Sequence, residues 1–123
     1  MPTIAVVGAS SDRKKYGNKC VRAYLKKGWT VYPVNPHEST IEGQKAYKSL
    51  KDVPKPLDRV AYYLHPEVGV KVLPDVAAAN PKDLFLNPGT ESPEVVSRAE
   101  ELDINAIQDC AIVAIGELPG NFK

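Results

Sequence analysis

The hydrophobic pattern divides the chain into short, continuous apolar runs separated by amphipathic or polar stretches. Thr3-Ile4-Ala5-Val6-Val7 closes on Gly8 and reads as a strand buried on both faces. Val31-Tyr32-Pro33-Val34 is a second run, in which Pro33 removes a ladder donor and so predicts an edge position or a strand end. Residues 59–64, stopped by Pro66, residues 83–86, stopped by Pro88-Gly89, and residues 104–107 complete a set of five. Such runs lie roughly twenty to thirty residues apart, a spacing that calls for crossovers and not for hairpins.

The intervals carry helical periods. Across residues 18–27, Val21, Tyr24 and Leu25 share one face, and Gly28 supplies the stop. Ser92-Pro93-Glu94 reads as an N-cap, an N1 proline and a first-turn acid, opening a helix whose Val95, Val96, Ala99 and Leu102 form one stripe. Residues 67–79 are also helical in pattern, but Pro74 inside a helix costs ~3 kcal/mol and predicts a kink or a restart. Residues 41–56 mix charges and contain Pro54-x-Pro56, leaving room for a short helix over 48–52. The apolar tail 110–116 has no clear period and reads equally as a last strand, a covering helix or a subunit contact.

The order β-α-β-(α)-β-α-β-α-β predicts one α/β domain over residues 1–123. It is a doubly wound, five-stranded parallel sheet, strand one central, in three α/β/α layers with right-handed crossovers. A chain of 123 residues, 43% apolar and 25% charged, is long enough for one such core and is not a disordered composition.

Charge and cysteine usage narrow the function. Sixteen basic and fifteen acidic residues leave a formal +1, which is no electrostatic footprint for nucleic acid or an anionic membrane. No apolar run approaches the ~20 residues of a membrane span, and residues 1–4 enter a strand without a signal-peptide pattern, so a cytoplasmic location is expected. Cys20, Cys110, His37 and His65 form neither a CxxC nor a Cys/His cluster, which removes thioredoxin-like chemistry and structural zinc. Both thiols are expected to be buried and unreactive.

In an open doubly wound sheet, ligands bind beyond the carboxyl ends of the strands, where strand order reverses. The segments to examine are therefore 8–13, 35–36, 65–67 and 87–91. Gly8 allows a tight turn off strand one, and Ala9 and Ser10 keep side chains small where a phosphate would approach. Gly17 and Asn18 then introduce a helix whose N-terminal amides carry about half a positive charge. Arg13, Lys14 and Lys15 add three cations, either as a solvated charge run or as phosphate ligands. Gly8 has no following glycine before Gly17, and Val34-Asn35-Pro36 has no acid for a ribose hydroxyl, so the NAD fingerprint is missing twice. A Walker loop is absent as well.

Ile4-Ala-Val-Val-Gly-Ala-Ser-Ser11, Val31-Tyr-Pro-Val-Asn-Pro36, Glu42-Gly43, Ala46-Tyr47, Ser49-Leu50 and Leu84-Phe-Leu-Asn-Pro-Gly-Thr-Glu-Ser92 together resemble the small CoA-binding domain proteins. These are similar to the CoA-binding domain of the succinyl-CoA synthetase α subunit, standing alone. The resemblance spans residues 3–110, and it departs at Phe85-Leu86-Asn87, where the family shows Trp-x-Gln, and at Pro74, where the family helix is uninterrupted.

It implies a Rossmann-like fold and a pocket for coenzyme A or acyl-CoA. Gly8, Ala9, Ser10, Arg13, Lys15 and Gly17 would line the phosphates, and Arg13 could grip one bidentately. Val34, Asn35 and Pro36 would bound the adenosine, His65 and Pro66 would flank the ligand, and Asn87, Pro88 and Gly89 would close the site.

No triad, metal cluster or redox pair proposes a reaction. Ligases of this kind need a phosphorylated histidine and an ATP-binding partner outside a domain of this size, so the chain is expected to bind without catalysis. The alternatives are a module responding to NAD(H) or another adenine nucleotide, and an accessory CoA-site subunit of an NDP-forming acyl-CoA ligase. The expected partners are the small ligand, a second copy of the chain or a ligase, with neither nucleic acid nor membrane among them.

Overall fold

A computed structural model describes residues 2–123. Its five-stranded parallel sheet comprises β1 (Thr3–Val7), β2 (Thr30–Val34), β5 (Arg59–Tyr62), β6 (Asp83–Leu86) and β7 (Ala106–Ile107), in the order β2-β1-β5-β6-β7. Helices α1 (Tyr16–Lys26), α2 (Pro66–Ala79) and α3 (Pro93–Glu101) make the crossovers. The α/β class and the five parallel strands agree with the sequence pattern. Strand one does not hold the middle place: β5 does, and β1 lies beside it, paired on its other side with β2. The reversal of strand order falls between β1 and β5.

Side-chain alternation on the strands sorts the core into two layers. Ile4 and Val6 of β1, Ala61 of β5 and Phe85 of β6 pack against Cys20, Val21 and Tyr24 of α1 and against Ala111 and Ile112 of the tail. Ala5 and Val7, Val60 and Tyr62, and Leu84 and Leu86 point the other way, onto Leu73 and Val76 of α2 and Val95 and Ala99 of α3. Each fully buried aliphatic side chain in these layers contributes about 1.5–3 kcal/mol.

Three local expectations are corrected. Pro74 does not restart α2, which is one helix from Pro66 to Ala79. Leu73 and Val76 are fully buried on either side of the exposed Pro74, so packing holds the helix while the lost bond falls on the solvent side. β5 ends at Tyr62, with the Tyr63 N–H still donating to the Val7 carbonyl (2.8 Å), and β7 begins at Ala106, two residues later than the apolar run. The segment 41–56 contains a hairpin, β3 (Thr40–Ile41) with β4 (Gln44–Lys45), turning at Glu42 and Gly43, both at positive φ as a type I′ turn requires. After it, Tyr47 pairs with β2: its N–H donates to Pro33 and its carbonyl accepts from Asn35, both at 2.9 Å. Pro33 therefore does sit on an outer edge, which this segment covers. The expected short helix is a single 3₁₀ turn, Leu50–Asp52.

The tail is neither strand nor long helix. Two 3₁₀ turns, Val113–Ile115 and Pro119–Asn121, follow the buried Ala111 and Ile112 and close the α1 layer. Glu117 is clamped by Lys26 (3.0 Å) and Lys27 (3.2 Å), and these hydrogen bonds hold its carboxyl below the usual carboxylate range. No helix among the described residues is long and apolar enough to cross a membrane.

Candidate functional site

The carboxyl end of β1 is built on two close backbone contacts. Gly8 (φ +91°) lies against the Tyr63 carbonyl, where a Cβ would stand 2.5 Å from the oxygen. Gly17, in the first turn of α1, rests on the Gly8–Ala9 peptide, where a Cβ would stand 2.7 Å from the Gly8 oxygen. Only glycine at both positions brings the start of α1 down onto the strand end.

Residues 8–15 between them are held by side chains from outside the loop. Asn35 Nδ2 donates to the Ala9 carbonyl (2.8 Å), the buried Asn18 donates to Ser10 (2.9 Å), and Arg22 donates to the Arg13 carbonyl (2.9 Å). Glu38 accepts the Ser11 N–H (2.9 Å), and hydrogen bonds from Ser11 hold its carboxyl below the ordinary value.

The three helix starts differ. His65 Nδ1 accepts from the Glu67 N–H at 3.4 Å, Ser92 accepts from the Val95 N–H at 3.1 Å, and each of these helices has an acid in its first turn. Helix α1 has no side-chain cap and no first-turn acid; its N-cap is Lys15. Its orphan amides and the positive end of its dipole therefore face whatever lies before them.

What lies before them is a cleft of about 660 Å³ over the ends of β1 and β5. Gly8, Ala9, Ser10, Lys15, Tyr16 and Gly17 form one end. Val34, Asn35, Pro36 and the stretch Lys48-Ser49-Leu50 form the β2 side, and Leu64, His65, Val68, Val72 and Asp75 form the α2 side. Pro88, Gly89 and Thr90 edge the β6 loop, while Val7 and Tyr63 close the floor.

Eleven of the fourteen residues expected from the sequence thus line one cleft, and Arg13, Pro66 and Asn87 do not. The Arg13 guanidinium instead points to Glu42 at 3.7 Å and is largely exposed. Pro66 is the first residue of α2, its ring fixing the helix start. Asn87 is buried, and both ends of its amide are engaged: it donates to the Tyr62 carbonyl (2.8 Å) and accepts from the Ala111 N–H (2.8 Å). It ties the end of β6 to the tail. Asn35, though it lines the cleft, is similarly occupied by Ala9, Glu38 and the His37 N–H.

The lining also includes residues the sequence reading passed over. Val68, Val72 and Asp75 sit at i, i+4 and i+7 on α2, a helical spacing that was available to find them. Lys48, Ser49 and Leu50 have no helical spacing to place them in the cleft, although Ser49-Leu50 is part of the family resemblance; the pairing of Tyr47 with β2 puts them there.

Chemically the cleft offers an amide-lined end with Lys15, a second cation, Lys48, on the β2 side, apolar lining residues and a single carboxylate, Asp75, on the α2 side. Among the described residues no group of three or more His, Cys, Asp or Glu could hold a metal.

Comparison with known proteins agrees with this architecture. A family model described as a CoA binding domain matches residues 2–116. The α subunit of ADP-forming acetate–CoA ligase II of Pyrococcus furiosus is 46% identical over 56 residues, 45% of this chain and 12% of that protein. The ADP-forming 4-hydroxybutyrate–CoA ligase of Nitrosopumilus maritimus is 43% identical over 58 residues, 46% of this chain and 8% of that protein. The matched segment is thus a small part of either curated relative. Among solved structures, a conserved hypothetical protein from Pyrococcus furiosus superposes with a TM-score of 0.86 at 36% identity, over 93% of this chain and 99% of that one. The dinucleotide-forming acetyl-coenzyme A synthetase 1 of Ca. Korarchaeum cryptofilum superposes with a TM-score of 0.76 at 30% identity, over 87% of this chain and 25% of that one.

Proposed function

The chain belongs to the CoA binding domain family, and from that premise we propose that it binds coenzyme A, free or as a thioester, in the cleft over β1 and β5 without transforming it. The observation that carries this reading is the contact of Gly17 with Gly8. It presents an uncapped helix start, with no acid in its first turn, to a cleft large enough for a nucleotide.

The pyrophosphate lies at Gly8, Ala9, Ser10 and the α1 amides, with Lys15 as the cation beside it. Arg13 belongs to the same loop, but its pairing with Glu42 directs it outward, so Lys15 takes the phosphate role. Val34, Asn35 and Pro36 bound the adenosine, His65 and Pro66 stand at its α2 side, and Asn87, Pro88 and Gly89 shape the closing loop. Of these, Pro66, Asn35 and Asn87 act by positioning backbone, since the proline has no N–H and both amides are engaged elsewhere.

Calorimetric titration tests the proposal. Coenzyme A is expected to bind in the micromolar range, about −8 kcal/mol, with NAD far weaker because the residue after β2, Asn35, is an engaged amide and not a free acid. Lys15→Ala should weaken coenzyme A by about 1.5–3 kcal/mol, and Arg13→Ala should stay within about 0.5 kcal/mol of the parent. Equal affinity for NAD and coenzyme A would overturn the ligand assignment.

The ligase identity of both curated relatives favours one second reading, an accessory subunit that supplies the CoA site to a separate ATP-binding chain. Co-purification of such a chain from cell extract distinguishes it from a free-standing binder.

A further inference from the structure

The cleft lining carries two cations, Lys15 at the start of α1 and Lys48 on the β2 side, and a single carboxylate, Asp75, on α2, and this uneven charge orders any ligand that carries phosphates at one point and a neutral ring at another. At the α1 end stand unpaired amides and Lys15. At the α2 end stands Asp75, a carboxylate with 27% side-chain exposure. Its ion-pair partner, Lys51, is at 3.9 Å, and among the described residues nothing donates a hydrogen bond to it. The same cleft is lined by the apolar Val68 and Val72 of its own helix and, from the β2 side, by Lys48, Ser49 and Leu50. A phosphate beside Asp75 would meet like charge, so the phosphates lie away from it and the ring lies toward it.

A largely covered carboxylate in a cleft, with no hydrogen-bond donor of its own, is an acceptor that a ligand N–H can satisfy. We infer that Asp75 reads the purine base of the ligand, accepting a hydrogen bond from the exocyclic amino group of adenine while the ring lies against the Val68–Val72 face of α2. The amino group is the only N–H that adenine offers once its ribose is attached. Asp75 is thus a specificity residue for the nucleotide, an assignment that rests on the coenzyme A reading above.

The test compares coenzyme A with its analogue lacking the 6-amino group, by calorimetry, on the parent protein, Asp75→Ala and Asp75→Asn. A site built to hydrogen-bond a substrate N–H rejects the analogue without it. The parent should prefer coenzyme A by about tenfold or more, the low end for a hydrogen bond to a charged group. Asp75→Ala should bind the two alike, and Asp75→Asn, which keeps an acceptor and nearly the same shape, should retain part of the preference. Thermal melting establishes that each variant is folded. If the parent binds both ligands equally, or if Asp75→Ala keeps the full preference, the assignment of Asp75 is wrong while the coenzyme A reading stands. If neither ligand binds the parent, the reading itself fails and takes this inference with it.

Discussion

Gly17→Ala is expected to weaken coenzyme A by about 1.5–3 kcal/mol, or about 10- to 150-fold, the value of one or two hydrogen bonds to a charged phosphate. The added Cβ would stand 2.7 Å from the Gly8 oxygen and 3.2 Å from the Ala9 Cα, both backbone atoms that no rotamer change can move aside. The first turn of α1 must then lift from the strand end, and the amides that converge on the phosphates lose their aim. Folding should also suffer, by about 1–3 kcal/mol, as for other overpacked positions. Gly120→Ala is the control: a Cβ there meets nothing within 4 Å, so affinity and melting temperature should match the parent. Parent-like affinity in Gly17→Ala would mean that the α1 start does not hold the ligand.

The largest stability effect is expected at the opposite end of the sheet. Arg59 and Asp83 are register partners on β5 and β6, joined by two hydrogen bonds of 2.8 and 3.2 Å, with side chains only 18% and 16% exposed. The guanidinium also lies 4.5 Å from the Phe85 ring centroid and 5.1 Å from that of Trp29. It donates to Tyr24 Oη (3.1 Å), which itself donates to the Ala111 carbonyl (2.6 Å); burial pushes the Tyr24 hydroxyl up to about 12. Arg59→Leu strands the Asp83 carboxylate without its partner, and a loss of about 3–5 kcal/mol is expected in urea denaturation. Arg59→Lys should recover only part of it, because a point charge cannot make the two-bonded contact or the stacking. The double variant Arg59→Leu, Asp83→Leu should be more stable than Arg59→Leu alone, since the uncompensated charge is gone. A loss under about 1 kcal/mol for Arg59→Leu would mean that solvent reaches this pair more freely than its coverage implies.

The strand ends were legible because a parallel strand buried on both faces is a continuous apolar run, and Gly8, Pro66 and Pro88-Gly89 punctuate three of them. From the strand ends, the loop into α1 and the family resemblance came eleven residues that share the cleft. What the sequence could not carry was direction and long-range pairing. Arg13 stands in the right loop, yet Glu42, from a hairpin invisible to a one-dimensional pattern, turns it away. Asn87 occupies a strand end, yet Tyr62 and Ala111 engage its amide. Lys48, Ser49 and Leu50 enter the site through the pairing of Tyr47 with β2, a contact set by tertiary hydrogen bonds. Pro74 misled in the other direction: its local cost was real, but Leu73 and Val76 anchor α2 on both sides of it. The sequence placed Gly17 at the phosphates and at the helix start, but nothing local shows that the helix would rest on the Gly8 carbonyl.

The central claim is that coenzyme A sits over β1 and β5 with its phosphates at the start of α1. Titration of the ¹⁵N-labelled protein with coenzyme A, followed by amide NMR, tests this position directly. The account predicts the largest shifts at the amides of Gly8–Ser10 and Tyr16–Asn18, smaller ones at Leu64, His65 and Gly89, and none at Val113–Leu118 of the tail. Shifts concentrated on the tail, with the Gly8 and Gly17 amides unmoved at saturation, would contradict it.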